Sequence, residues 1–183
     1  MPGDLKATAS GCSLTPHMNN ALDKSVEEAS VEEASVKETR VKEAGVREAA
    51  VKEANKEFYK ALESGSIEKM DAVWLHEEWV RCVHPGWDMV KGWSHVRDTW
   101  DKIFEGKQKM RVSPENLSVQ MHGDFSWVTC TENITVVYEA SFDTVQAVAT
   151  NLFIYKDGRW LMAHHHASSI PMMLPDAVTD TIQ

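Results

Sequence analysis

Every aromatic side chain in this chain of 183 residues lies at or beyond Phe58: seven Trp, five Phe and three Tyr. Large apolar groups close a core, because burial stabilises in proportion to the apolar surface removed from water. The first 55 or so residues own none of these groups, so the fold must be built from the residues beyond them. A length of 183 residues then reads as one domain plus an N-terminal appendage.

The appendage has two parts. Residues 1–25 are polar, carry Pro2, Gly3, Gly11 and Pro16, and show no hydrophobic period; they are expected to be disordered. From Val26 to Asn55 the chain repeats in fives: VEEAS, VEEAS, VKETR, VKEAG, VREAA, VKEAN. Glu, Ala and Lys favour helix. Five residues at about 100° each turn successive Val by about 140°, however, so the Val never form one stripe. A seven-residue seam is absent, which argues against a left-handed coiled coil. Residues 26–53 are expected to form a charged helix or spacer, with a partner-binding helix as the alternative.

The domain is expected over residues 54–170, followed by a loose tail over 171–183. Phe58, Ala61 and Leu62 lie on one helical face, which ends at Glu63-Ser64-Gly65-Ser66. Ser66 has the character of an N-cap, with Lys69 where the Glu of a capping box would stand. A second helix runs through Met70, Val73 and Trp74. Glu78–His84 reads as a short strand stopped by Pro85-Gly86, and Val96, Trp100, Ile103 and Phe104 mark a third helix. Strands follow over 110–121, 125–138, 144–155 and 159–168, with turn signals at His122-Gly123-Asp124 and Lys156-Asp157-Gly158. This order gives an α+β fold with one curved antiparallel sheet.

Charge and composition exclude several classes. The net charge of -9 argues against a nucleic-acid partner, which would require clustered Lys and Arg. No apolar run has the length of a membrane span, and the N-terminus lacks a signal-peptide layout, so neither membrane nor export is expected. Cys12, Cys82 and Cys130 are odd in number and never form a CxxC pair, which fits a reduced, cytoplasmic setting without a zinc ribbon.

Three features could carry chemistry. His84-Pro85-Gly86-Trp87 with Gly92-Trp93 sets an imidazole at a strand end between two indoles, where it could serve as a general base. The alternative is a His satisfied by backbone. His164-His165-His166 lies in a strand, where strict alternation groups Trp160, Met162, His164 and His166 on one face and Leu161, Ala163, His165 and Ala167 on the other. Two His two apart can ligate a metal with a third ligand from His84, His122 or Glu132, but nothing in the spacing brings one of these in and no HExxH is present, so no metal is assigned. Glu132 falls among Val128, Cys130, Ile134 and Val136 on one strand face, where a carboxylate is out of place. Its choices are a raised pKa or a partner such as Arg81 or Arg97.

The stretches FYKALESGSIEKMDAVW, VRCVHPGW, GWSHVRDTWDKIF and LFIYKDGRWLMAHHHASS, in that order, resemble the nuclear transport factor 2-like superfamily, above all its SnoaL-like and ketosteroid-isomerase-like branch. The resemblance implies a cone: a strongly curved antiparallel sheet wrapped around three helices, with an apolar pocket inside and dimerisation through the outer sheet face. Ketosteroid isomerases carry a Tyr on the first helix, an Asp before Pro at the first strand's end, and an Asp on a later strand. The matching positions here are Phe58, His84 and Asn151. Phe58 lacks the hydroxyl, so steroid isomerisation is not expected. His84 would replace the Asp as base and Asn151 would polarise a carbonyl, with Phe58, Trp87, Trp93 and His165 shaping the ligand site. The closing strand also resembles the association domain of calcium/calmodulin-dependent kinase II, whose His pair matches His164 and His166.

The expectation is therefore a cytoplasmic homodimer that binds a small, mostly apolar molecule, with no cofactor, no metal and no nucleic-acid or membrane partner. If catalytic, it performs proton transfer of the isomerase, cyclase or dehydratase kind. The competing class is a non-catalytic association module.

Overall fold

The computed structural model describes residues 16–106 and 109–171. The chain divides into two compact units, Met1–Gly45 and Val46–Gln183. Residues 1–15 and 172–183, expected to be disordered and a loose tail, lie outside the described residues. Helix α1 (Pro16–Ser64) begins inside the stretch expected to be disordered. Pro16 suits a helix start, because the N–H it lacks has no intrahelical acceptor there and its φ is already helical.

In the first unit the repeat behaves as its period requires. Val36 and Val41 are 45% and 65% exposed, since no face collects them. Lys42 and Glu38 pair at 2.7 Å, fully on the surface, an i,i+4 contact of small energetic consequence.

The second unit begins earlier than the aromatic pattern suggested. Val51, inside the stretch expected to be spacer, is fully buried, and so is Asn55. With Phe58 and Leu62 they fall at i, i+4, i+7 and i+11, a helical stripe that turns the last repeat toward the core. Helix α2 (Ile67–Val73) is capped by Ser66, whose Oγ accepts from the Lys69 N–H at 3.3 Å and donates to Glu68 at 2.7 Å. Then come β1 (Arg81–Val83), β2 (Val90–Lys91), α3 (Trp93–Glu105), β3 (Lys109–His122), β4 (Phe125–Val137), β5 (Phe142–Lys156) and β6 (Arg159–Ser169). Strand β2, two residues long, is too short to leave a period in the sequence.

The six strands form one curved sheet in the order β2-β1-β6-β5-β4-β3. Its hairpins are antiparallel, and β1 alone lies parallel to its neighbour β6, with Cys82 beside His165. The β5–β6 hairpin closes on Asp157-Gly158, both at positive φ (52° and 83°), the geometry that Asp-Gly favours in a two-residue turn. Bulges interrupt the ladder between Glu115 and Ser118 and between Leu152 and Phe153, and such insertions bend a sheet. The concave side holds Phe58, Met70, Trp74, Phe153 and Met162, all under 2% exposed. No helix among the described residues is long and apolar enough to cross a membrane.

The second bulge corrects the face assignment of the last strand. Phe153 pairs with Met162 and Leu152 with His164, so Ala163 is the inserted residue. One insertion inverts the alternation. Trp160 and Met162 before it, and His165 and Ala167 after it, are all buried, whereas His164 is half-buried and His166 exposed.

Candidate functional site

The turn His84-Pro85-Gly86-Trp87 builds the site's mouth. The Trp87 N–H donates to the His84 carbonyl at 2.9 Å, and Gly86 takes φ +80°, as the third position of a type II turn requires. The turn brings the half-exposed Trp87 ring edge-on to His84, 5.1 Å between centroids. From α3, Trp100 meets the other side of the imidazole at 4.5 Å. These groups line a pocket of about 250 Å³ together with Glu132 from β4 and His165 from β6. A wider groove of about 750 Å³ runs past Arg47, Tyr155 and Trp160, but Arg47 is already bound to Gly123 O and to Asp124 at 2.7 and 2.9 Å. The concentration of buried titratable groups is in the smaller pocket.

Behind the pocket wall runs a connected polar network. Tyr59 Oη donates to Glu132 Oε1 at 2.7 Å and lies 3.2 Å from Cys130 Sγ. Asn151 Nδ2 donates to Tyr59 Oη at 3.2 Å and to Asn55 Oδ1 at 2.8 Å. His165 Nδ1 is 2.7 Å from Asn151 Oδ1. An amide oxygen only accepts, so the His165 proton sits on Nδ1 and the lone pair on Nε2. His84 Nε2 is 2.8 Å from Thr99 Oγ1, which uses its single proton on the Val96 carbonyl at 2.6 Å. His84 therefore carries its proton on Nε2 and leaves Nδ1 with a lone pair.

Burial sets the protonation of every member. It pushes His84 down to about 4 and His165 well below the ordinary imidazole range, so both are neutral. It raises the thiols of Cys82 and Cys130, the latter to about 11, and the phenol of Tyr59. Glu132 is pushed up to about 7 by burial, against the smaller downward pull of the Tyr59 hydrogen bond. Tyr59 occupies Oε1 only, and the carboxyl itself lines the pocket.

Residues 51–173 match the family model of the SnoaL-like domain. The chain belongs to the SnoaL-like family. Its SnoaL-like domain is similar to a candidate dehydratase of the NTF2-like family from Streptomyces avermitilis: 30% identity, TM-score 0.66, covering 70% of this chain and 99% of that one. It is also similar to a candidate calcium/calmodulin-dependent protein kinase type II association domain from Thiobacillus denitrificans: 27% identity, TM-score 0.56, covering 64% and 93%. The F-box protein SKIP8 of Arabidopsis thaliana is 27% identical over 114 residues, 62% of this chain. The chain spans 47% of that relative's length.

Within the SnoaL-like domain, His84, Trp87 and His165 line one pocket. Phe58 stands behind it, fully buried against His165 and Trp100 at 5.1 and 5.8 Å. Trp93 does not line the pocket; it stacks with Trp74 and His76 at 5.8 and 4.7 Å. Asn151 is fully buried, and both its Nδ2 protons and its Oδ1 are taken by Asn55, Tyr59 and His165. It has no donor left to polarise a substrate carbonyl. The partners foreseen for Glu132 lie elsewhere: Arg97 binds Asp71 at 3.0 Å, and Arg81 binds the carbonyls of Glu78 and Val80. Tyr59, Thr99 and Asn55 were not singled out by the sequence patterns. Tyr59, next to Phe58, spends its hydroxyl on Glu132 behind the pocket wall, and the stripe of Val51, Asn55 and Phe58 would have marked Asn55 as a polar group aimed inward.

Proposed function

We propose that this SnoaL-like domain binds a small, mostly apolar molecule in the pocket between His84, Glu132 and His165 and moves a proton on it without a cofactor. The observation that carries this reading is Glu132, a buried carboxyl on the pocket wall with one oxygen held by Tyr59. A group poised near 7 populates both its acid and base forms at neutral pH, which is the condition for general acid–base work. The role of proton carrier thus passes from His84, too weak a base at about 4, to Glu132. His84 and His165 serve as neutral acceptors that orient the ligand. Similarity to a candidate dehydratase supports an elimination or isomerisation.

The test is native mass spectrometry of the purified chain to find a retained ligand, followed by solvent-deuterium exchange into it. Exchange should fall by about 10²-fold or more in Glu132→Gln. Unaltered exchange in that variant rejects the role of Glu132.

A second reading, assembly, is supported by similarity to the association domain and by apolar side chains on the sheet's surface, Trp127 and Val148 among them at 36% and 52% exposed. A homodimer joined there should run at twice the monomer mass or more in light scattering at any ionic strength. A monomer at micromolar concentration rejects it. The two described cysteines, both buried free thiols, are in keeping with a cytoplasmic setting.

A further inference from the structure

We infer that the pocket selects a small protonated amine carried on a flat or aliphatic body. The inference rests on the pocket being a ligand site and adds the charge class of its occupant.

Among the described residues the lining contains one carboxyl, Glu132, and neither Lys nor Arg. Its open acceptors are the unprotonated His165 Nε2 and the Glu132 oxygen that Tyr59 leaves free; His84 Nδ1 lies 4.0 Å from the Cys82 thiol, and the half-exposed Trp87 adds an indole N–H at the rim. The Trp100 indole N–H has no partner either, but it is sealed from the open space. An anionic ligand would place a second negative charge beside Glu132, with no cation among the described lining residues to offset it. An ammonium group has no acceptor and three N–H donors, and it finds a counter-ion and the His165 lone pair in one place. Trp87 and Trp100 flank that place, and indole is the ring that best attracts a cation. A volume of about 250 Å³ equals roughly eight waters at ~30 Å³ each, which suits a one-ring or short-chain amine.

The titratable groups packed around Glu132 are Tyr59 from α1, Cys130 on β4, Cys82 on β1, His84 beyond the end of β1, and His165 on β6. Burial holds all of them uncharged, so the carboxyl meets no competing ion. A bound ammonium favours the carboxylate, so at pH 7 about half a proton leaves Glu132 on binding.

The test is calorimetric titration of the full chain at pH 7 with benzylamine, benzyl alcohol and benzoate, in two buffers of different ionisation enthalpy. Benzylamine should bind with a millimolar or tighter Kd, benzyl alcohol about tenfold more weakly, and benzoate not at all. About half a proton should be released with the amine. Glu132→Gln, checked for its fold by circular dichroism, should bring amine and alcohol to within about threefold of each other. Trp87→Ala, at a half-exposed position that the core does not need, should weaken benzylamine several-fold more than benzyl alcohol. Benzoate binding as tightly as benzylamine, or an amine preference that survives Glu132→Gln, overturns the inference. If benzyl alcohol binds as well as the amine, the charge class falls and the ligand site stands. If no probe binds at millimolar concentration, both fall.

Discussion

Glu132→Gln should change how stability depends on pH, with a sign that follows from burial. In the unfolded chain this carboxyl titrates near its ordinary value of 4.5, and in the folded protein near 7. Between those values the folded state holds a proton that the unfolded state has released, so stability falls as pH rises. The loss is complete only above the folded value. About 2.5 units at ~1.36 kcal/mol each give a total near ~3 kcal/mol, of which about 2–3 kcal/mol fall between pH 5 and pH 8. The amide cannot ionise, yet its oxygen can still accept from Tyr59 Oη, so the network survives. Urea unfolding of both proteins at pH 5 and pH 8 isolates the effect, because every other group titrates in both. The variant should gain about 2–3 kcal/mol on the wild type over that interval. A difference that stays flat to within about 0.5 kcal/mol would show that Glu132 titrates as an ordinary surface acid. A variant that loses several kcal/mol at both pH values would show that the carboxylate is itself stabilising.

His84 is displaced in the opposite sense, from 6.5 to about 4, so it contributes stability that is present above 6.5 and lost as pH falls toward 4. Relative to His84→Gln, the wild type should lose about 3 kcal/mol between pH 7 and pH 4, measured by urea unfolding. Replacing His84 by Ala should cost stability as well, because the ring packs edge-to-face on Trp100 at 4.5 Å and bonds Thr99. Removal of residues 1–45, whose described Val are exposed, should move the Tm by less than about 5 °C in calorimetry; a larger fall would reveal packing at the repeat. Gly92→Ala should lower the Tm by several degrees, since Gly92 holds φ +81° and a Cβ there would come within 3.0 Å of Glu78 Oε2, a cost of roughly 1–3 kcal/mol.

The sequence by itself determined the features that act over a few residues. The Ser66 cap, the Asp157-Gly158 turn, the Pro85-Gly86 turn and the third helix each follow from side chains within one turn of one another. The exposure of Val36 and Val41 follows from a five-residue period that cannot form a stripe. The inward face of β4 was legible too, because alternation holds along an uninterrupted strand, and it marked Glu132 as the misplaced acid. Tertiary structure decided what local rules cannot carry. The bulge at Ala163 inverts the last strand's faces, and nothing in WLMAHHHASS announces it, because a bulge is settled by the register of the neighbouring strand. The partner of Glu132 comes from Tyr59, 73 residues away, and the amides of Asn55 and Asn151 meet across 96. A long-range hydrogen bond leaves no period in either segment, since each side chain is placed by its own helix or strand and the two meet only when the sheet curls over α1. Trp93 shows the converse: close in sequence to the His84 turn, it is carried into another stack by α3, because the direction of a side chain belongs to the element that bears it.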